Sequence, residues 1–367
     1  MKKYLSLILG LLMVVSCSDS GDDSDDGPTD NFNRAAMLEN WADNIIIPAY
    51  QDYVNHLGAL KSATTAFNQT PSVASLETLR NEWLAAYLAF QQVSMFEIGM
   101  AESIALRNYS NIFPADAASI DGNLADGDYN LQLPSTNDEQ GFPALDYLLF
   151  GVASTEADIV TALSTDHGKA YLTALTDRLD EMANTVLNDW TSGYRDEFVE
   201  NSGSTATSAV NKMTNDYLFY YEKALRAGKL GIPAGVFSGN PLSDRVEGLY
   251  SRQYSKQLFD AALDASEAFF VGQHFGSTTT GESLSSYLNY LNTMKEGEDL
   301  SALIQSQFNA ARNEAANLLD DFYAQVEADN SKMLMAYDEL QKNVVLLKVD
   351  MFQALSIRVD FVDADGD

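Results

Sequence analysis

From Asn33 onward apolar side chains return every three or four residues, the spacing of one helix face. Trp83, Tyr87, Phe90 and Ser94 define one such line, and Leu79, Leu84, Leu88 and Met95 widen it. Leu300, Leu303, Ile304, Phe308, Ala311, Ala315, Leu318, Leu319 and Phe322 define a second. Leu334, Tyr337, Leu340, Val344, Leu347, Met351 and Leu355 define a third, over Met333 to Ile357. Strand-type alternation is scarce. Thr70-Pro71-Ser72 reads as a helix start, Ser243-Asp244 as the start of a helix over Arg245 to Val271 that Gly272 ends, and Gly281-Glu282-Ser283 as the start of Leu284 to Met294. Two polar or glycine-rich stretches interrupt the pattern, Asn108 to Gln140 and Gly228 to Asn240. Such lengths mark functional loops or joints between domains, and a boundary is placed near Gly239. The expected fold class is all-α. Residues 33–239 and 240–367 form two helical bundles, and the long Tyr/Phe-striped helices in each half raise a duplication.

The first 32 residues depart from this pattern. Lys2 and Lys3 precede the apolar run Tyr4 to Val15, which is too short to span a bilayer and has the form of a signal peptide, residues 1–16. It ends in Val14-Val15-Ser16-Cys17, similar to a bacterial lipobox, so Cys17, the only cysteine, is the expected lipidation site. Residues 17–32 read as a disordered acidic tether, because Ser18 to Asp30, rich in Asp and Ser, lack apolar groups to pack. The expected location is the cell envelope, as an outer-membrane lipoprotein on its periplasmic or exposed face.

Composition narrows the chemistry. Lys+Arg is 22 against Asp+Glu 53, a net charge of −31. Nucleic acid is therefore excluded as a partner, because binding it requires cations that displace counterions. One cysteine excludes an intrachain disulfide and Fe–S or zinc-ribbon sites. The three histidines, His56, His167 and His274, are scattered, and none is followed by an acid three residues on. The glycines Gly228, Gly231, Gly235 and Gly239 have no phosphate-cradling spacing. Asp363, Asp365 and Asp367 begin like a Ca²⁺ loop, but the given sequence stops before the later ligands, so an acidic tail is expected.

The segment Gly141-Phe142-Pro143-Ala144-Leu145-Asp146-Tyr147-Leu148-Leu149-Phe150-Gly151 opens an apolar block directly out of a polar loop. Read alone, it is a short helix with Pro143 in its first turn and Asp146 favourably placed in the helix dipole. It also resembles the imelysin family's Gly-x-His-x-x-Glu motif and its aromatic-Leu-Leu-aromatic-Gly tail. Trp83 through Glu97-Ile98-Gly99, Lys229-Leu230-Gly231-Ile232-Pro233, Val246 to Ser251 and the C-terminal stretch from Val359 resemble further family segments in the same order. The resemblance implies two up-and-down four-helix bundles with the motif (Gly141, Pro143, Asp146, Gly151) at their interface. It also implies an envelope location, a link with iron uptake, and iron-uptake or outer-membrane transport components as candidate partners.

The family is also classed with metallopeptidases, but here Pro143 stands at the His position and Asp146 at the Glu position. Proline offers no donor atom, so no catalytic residue is assigned. What remains is an oxygen-ligand site for iron or another divalent cation, with Asp146, Glu97 and Glu102 as candidates. The other reading is that Glu97 or Asp146 pairs with an arginine such as Arg107, or bonds to backbone. The sequence thus favours a non-catalytic binding protein with a site between the bundles near Asp146. The alternatives are a divergent metallopeptidase and a structural partner of an outer-membrane transporter.

Overall fold

The computed structural model describes residues 30–361. The signal peptide, Cys17, most of the tether and the Asp363, Asp365 and Asp367 tail lie outside the described residues.

The chain is helical from Arg34, in agreement with the all-α expectation. Helix α1 covers 34–69, with a wider π-type stretch at Asn40–Ile46, and α2 covers Val73–Val93. Ser72 opens α2 with a capping box, accepting from the Ser75 N–H while Ser75 answers at the Ser72 N–H. The aromatic stripe read in the sequence is its buried face: Leu79, Trp83, Tyr87 and Phe90 are fully covered, each worth roughly 1.5–3 kcal/mol of transfer free energy. Two short helical turns follow, Met100–Ser103 and Leu106–Ser110. The stretch 108–140 carries helix α3 (Ala117–Asp126), which Asp116 caps. The motif forms α4 (141–151), α5 is Glu156–Leu163, and α6 runs over 166–200 with a kink at Gly193.

Helix α7 covers 209–231 and widens to π type over Tyr220–Gly231. Helix α8 is Ser255–Val271 and α9 is Leu284–Tyr290. A two-residue hairpin, β1 (Met294–Lys295) with β2 (Glu298–Asp299), leads into α10 (Leu300–Ala315). Helix α11 covers 322–354, with a kink at Asp329.

Helices α1, α2, α4 and α6 pack on one another, as do α7, α8, α10 and α11, and α8 also packs on α2. From Phe32 onward the chain is one compact unit with a continuous apolar core. Helix α7 precedes Gly239 in the chain, yet its apolar face serves the later group. Tyr221 meets Phe308 edge-on at 5.5 Å and Tyr217 meets Phe269 at 5.2 Å. Helix α7 thus packs mainly with helices that follow Gly239. The stretch 232–240 is a series of turns and bends.

Some helix limits differ from the sequence reading. The expected helix from Arg245 starts only at Ser255, because Gly248 and Arg252 adopt positive φ of 71° and 63° and break the ladder. Leu284 to Met294 shortens to end at Tyr290, and the run from Leu300 stops at Ala315, where a turn leads to the Asp321 cap of α11. Ser72→Ala removes the acceptor that opens α2. Urea denaturation is expected to show a loss of about 1 kcal/mol, and an unchanged midpoint would dispute the cap.

Candidate functional site

Helix α4 enters from Gln140 on Gly141, whose φ is +75° and where a Cβ would lie 2.3 Å from the Ser110 carbonyl oxygen. Only glycine fits that approach. Phe142 stacks on Tyr87 with centroids 4.5 Å apart, and its carbonyl accepts from the Trp83 indole N–H at 3.2 Å. Pro143 is buried in the first turn. At the far end Arg80 donates to the Leu149 carbonyl at 2.8 and 2.9 Å, and Gly151 leaves room for the Tyr250 ring, 2.3 Å from a would-be Cβ.

Asp146 lies beyond the first turn of α4, not within it as expected from the sequence. Its Oδ2 accepts the Tyr250 N–H and its Oδ1 the Ser251 N–H, both at 2.9 Å. These amides are free because the 246–254 segment is not helical. Burial pushes the Asp146 carboxyl up to about 6, while the N–H donors of Tyr250 and Ser251 pull the other way. The same segment carries Glu247, 2% exposed. Its Oε1 accepts from Asn111 at 2.8 Å, from Tyr87 at 3.0 Å and from Gln91 at 3.3 Å. Its Oε2 is paired with the Lys229 ammonium, which also donates to the Gln91 side-chain Oε1 at 3.0 Å. Burial pushes the Lys229 pKa down, and Glu247 opposes this.

The other two sequence candidates sit elsewhere. Glu97 accepts the Arg107 N–H at 3.1 and 3.2 Å and lies 3.2 Å from the Arg107 Nε. Asp216 accepts the Glu97 N–H at 2.6 Å and pairs with the Arg107 Nη2 at 3.1 Å. Burial pushes Glu97 up from its ordinary 4.5 to about 7, with Arg107 working against it. Glu102 shares with Glu97, Asp216 and Asp360 a cavity of about 370 Å³. A second cavity, about 320 Å³, adjoins it through Arg107, Asn108 and Phe219 and lies between α2 and α7. Lys229 and Gln91 line that second cavity, so it abuts the Glu247 cluster.

Asp146 is thus not brought together with Glu97 and Glu102. A metal centred on the motif does not fit these residues. Pro143 has no donor atom, both Asp146 oxygens already accept backbone N–H bonds, and Glu247 is committed to Lys229. Among the described residues no group of three or more His, Cys, Asp or Glu side chains is placed to hold a metal ion. His56 and His274 do face one cavity, of about 510 Å³, with Asp52.

Sequence reasoning gave no site role to Lys229, Glu247, Gln91, Tyr87 or Asp216, although Tyr87 lay on the α2 stripe and Lys229 and Glu247 in segments resembling the family. The available signal was charge inside apolar runs, at Lys229 before Leu230-Gly231-Ile232 and at Glu247 after Val246.

Residues 46–347 match the sequence pattern of the imelysin family, peptidase M75. A protein of Synechococcus elongatus called iron-regulated protein A is 23% identical over 164 residues, which cover 45% of this chain and 42% of that protein. The chain therefore aligns with less than half of that relative's length. An imelysin-like protein of Psychrobacter arcticum has a similar crystal structure, with TM-score 0.70, 19% identity, and coverage of 89% of this chain and 97% of that one. A Parabacteroides distasonis protein described as an iron-regulated protein A precursor gives 0.72 at 17% identity, covering 87% and 94%. At these identities the structural likeness concerns the fold.

Asp146→Ala leaves two N–H donors at the junction without acceptors. A loss of about 3 kcal/mol in urea denaturation is expected, and a loss below about 1 kcal/mol would show that water replaces the carboxylate at little cost. For Glu97 the raised pKa means that the folded state binds more protons than the unfolded state between about pH 4.5 and 7. The stability it contributes is full below about 4.5 and is lost as pH rises through about 7. Glu97→Gln should flatten the fall in unfolding free energy across that window. An identical slope in both proteins would refute the assignment.

Proposed function

This chain belongs to the imelysin family, and from that premise we propose that it is a non-catalytic binding protein linked to iron uptake. Its ligand site is the pair of joined cavities at Arg107, beside the junction that Asp146 fastens. The observation that carries this reading is how the motif is used. Its acidic residue is spent on the Tyr250 and Ser251 amides, and Pro143 replaces the side chain a zinc peptidase would require. The motif holds the two helical groups together, and the space beside it is left for a ligand.

The iron link draws on the two relatives named as iron-regulated proteins. The placement in the envelope, as an outer-membrane lipoprotein anchored through Cys17, draws on the leader and on the precursor status of the Parabacteroides relative. Among the described residues no helix is long and apolar enough to cross a membrane. Iron-uptake or outer-membrane transport components are the proposed partners.

The test joins two readouts on the purified protein. With Zn²⁺ and unfolded peptide substrates present, no hydrolysis is expected. Titration with Fe²⁺, Fe³⁺ and ferric citrate, beside Zn²⁺ and Ca²⁺, should raise the thermal transition for an iron species, the folded state gaining about 2.7 kcal/mol at a hundredfold excess over Kd. Zn²⁺-dependent cleavage would overturn the reading in favour of a peptidase. Absence of any stabilising iron species would leave the structural-partner alternative.

A further inference from the structure

The cavity of about 320 Å³ between α2 and α7 differs in charge from the rest of the molecule. The chain has 53 acidic and 22 basic residues. Yet Arg107, Lys223, Lys229 and Arg245 line this cavity, and among the described residues no Asp or Glu does. Each cation has a carboxylate partner that is not part of the lining: Glu97 and Asp216 for Arg107, Glu222 for Lys223, Glu247 for Lys229, and Asp244 for Arg245. Each cation is thus charge-compensated, and in each pair it is the basic member that belongs to the lining.

The remaining wall is largely apolar, with Phe90, Phe113, Phe219 and Tyr220 as its rings.

Resting on the binding-protein reading, we propose that this cleft takes a small organic anion, a carboxylate carried on a flat apolar body. The volume lies at the lower end of ligand pockets, which suits a single-ring molecule. A bare metal cation would meet ammonium and guanidinium groups with no oxygen ligand from a carboxylate. An inorganic anion would leave the Phe113 and Phe219 side without a partner. The protein's overall negative charge does not decide the matter, because it is screened over about 8 Å at physiological salt. A ligand inside the cleft is closer than that to the lining cations. Arg245, at the exposed rim, receives the carboxylate together with Lys223.

Calorimetric titration of the full protein with 4-hydroxybenzoate, its neutral amide and inorganic phosphate tests this assignment. The acid should bind saturably and at least tenfold tighter than either of the others. Arg245→Glu, at the half-exposed rim, should keep the thermal transition of the free protein and weaken the acid by about tenfold or more, equivalent to about 1.4 kcal/mol. Lys223→Ala serves as the second variant, with a loss in the same direction. Equal affinity for acid and amide, no binding of the acid, or binding unchanged in both variants would overturn the proposal. Saturable Fe³⁺ binding that Arg245→Glu strengthens would also overturn it, while leaving the binding-protein reading intact.

Discussion

A carboxylate in the first half of the chain is solvated by two backbone amides of the second, and the arrangement of the junction follows from that contact. Asp146 is fully surrounded by protein, where an unsolvated charge is costly. The N–H groups of Tyr250 and Ser251 take the place of water. They can do so only because residues 246–254 have left the helical ladder. Helix α8 therefore starts late, and its lost first turns are the reason Asp146 has partners. Glu247, three residues before Tyr250, is then carried to the face of α2, where Tyr87, Gln91 and Asn111 meet it.

The Lys229–Glu247 pair that results is buried at 3% and 2% exposure. A pair this deep gives up much of its hydration, and its mutual attraction often does no more than offset that loss. Its value here is geometric. Lys229 comes from α7, Glu247 from the 246–254 segment, and their shared neighbour Gln91 from α2. Removing one member would strand the others, so the three elements are held in one arrangement, and the cavity beside them has a fixed wall.

The helices were legible in the sequence because burial writes a period into the chain. The α2 stripe from Leu79 to Phe90 and the termination at Gly272 needed no tertiary information. The start of α8 was not legible, since the run after Arg245 has acceptable helical spacing and its interruption depends on a distant carboxylate. Glu97 stood out as an acid in an apolar stretch, and the pairing with Arg107 was one of two readings open for it. Choosing between them required Asp216, over a hundred residues away. The membership of α7 in the later group was hidden for a similar reason: sequence shows that a helix has an apolar face but not which neighbour covers it.

Helix α7 also has two duties that a regular helix of its length would serve less easily. In the π-type stretch Tyr220–Gly231 the backbone bonds reach one residue further than in an α-helix. Each such wide turn holds an extra residue, and an extra residue turns everything beyond it by about 100° relative to the regular register. Tyr221, near its beginning, faces Phe308 in the later helices, while Lys229, near its end, reaches Gln91 and Glu247. The widened winding works as a change of azimuth along a single rod, so that one helix belongs to the second group by its packing and to the cleft by its chemistry.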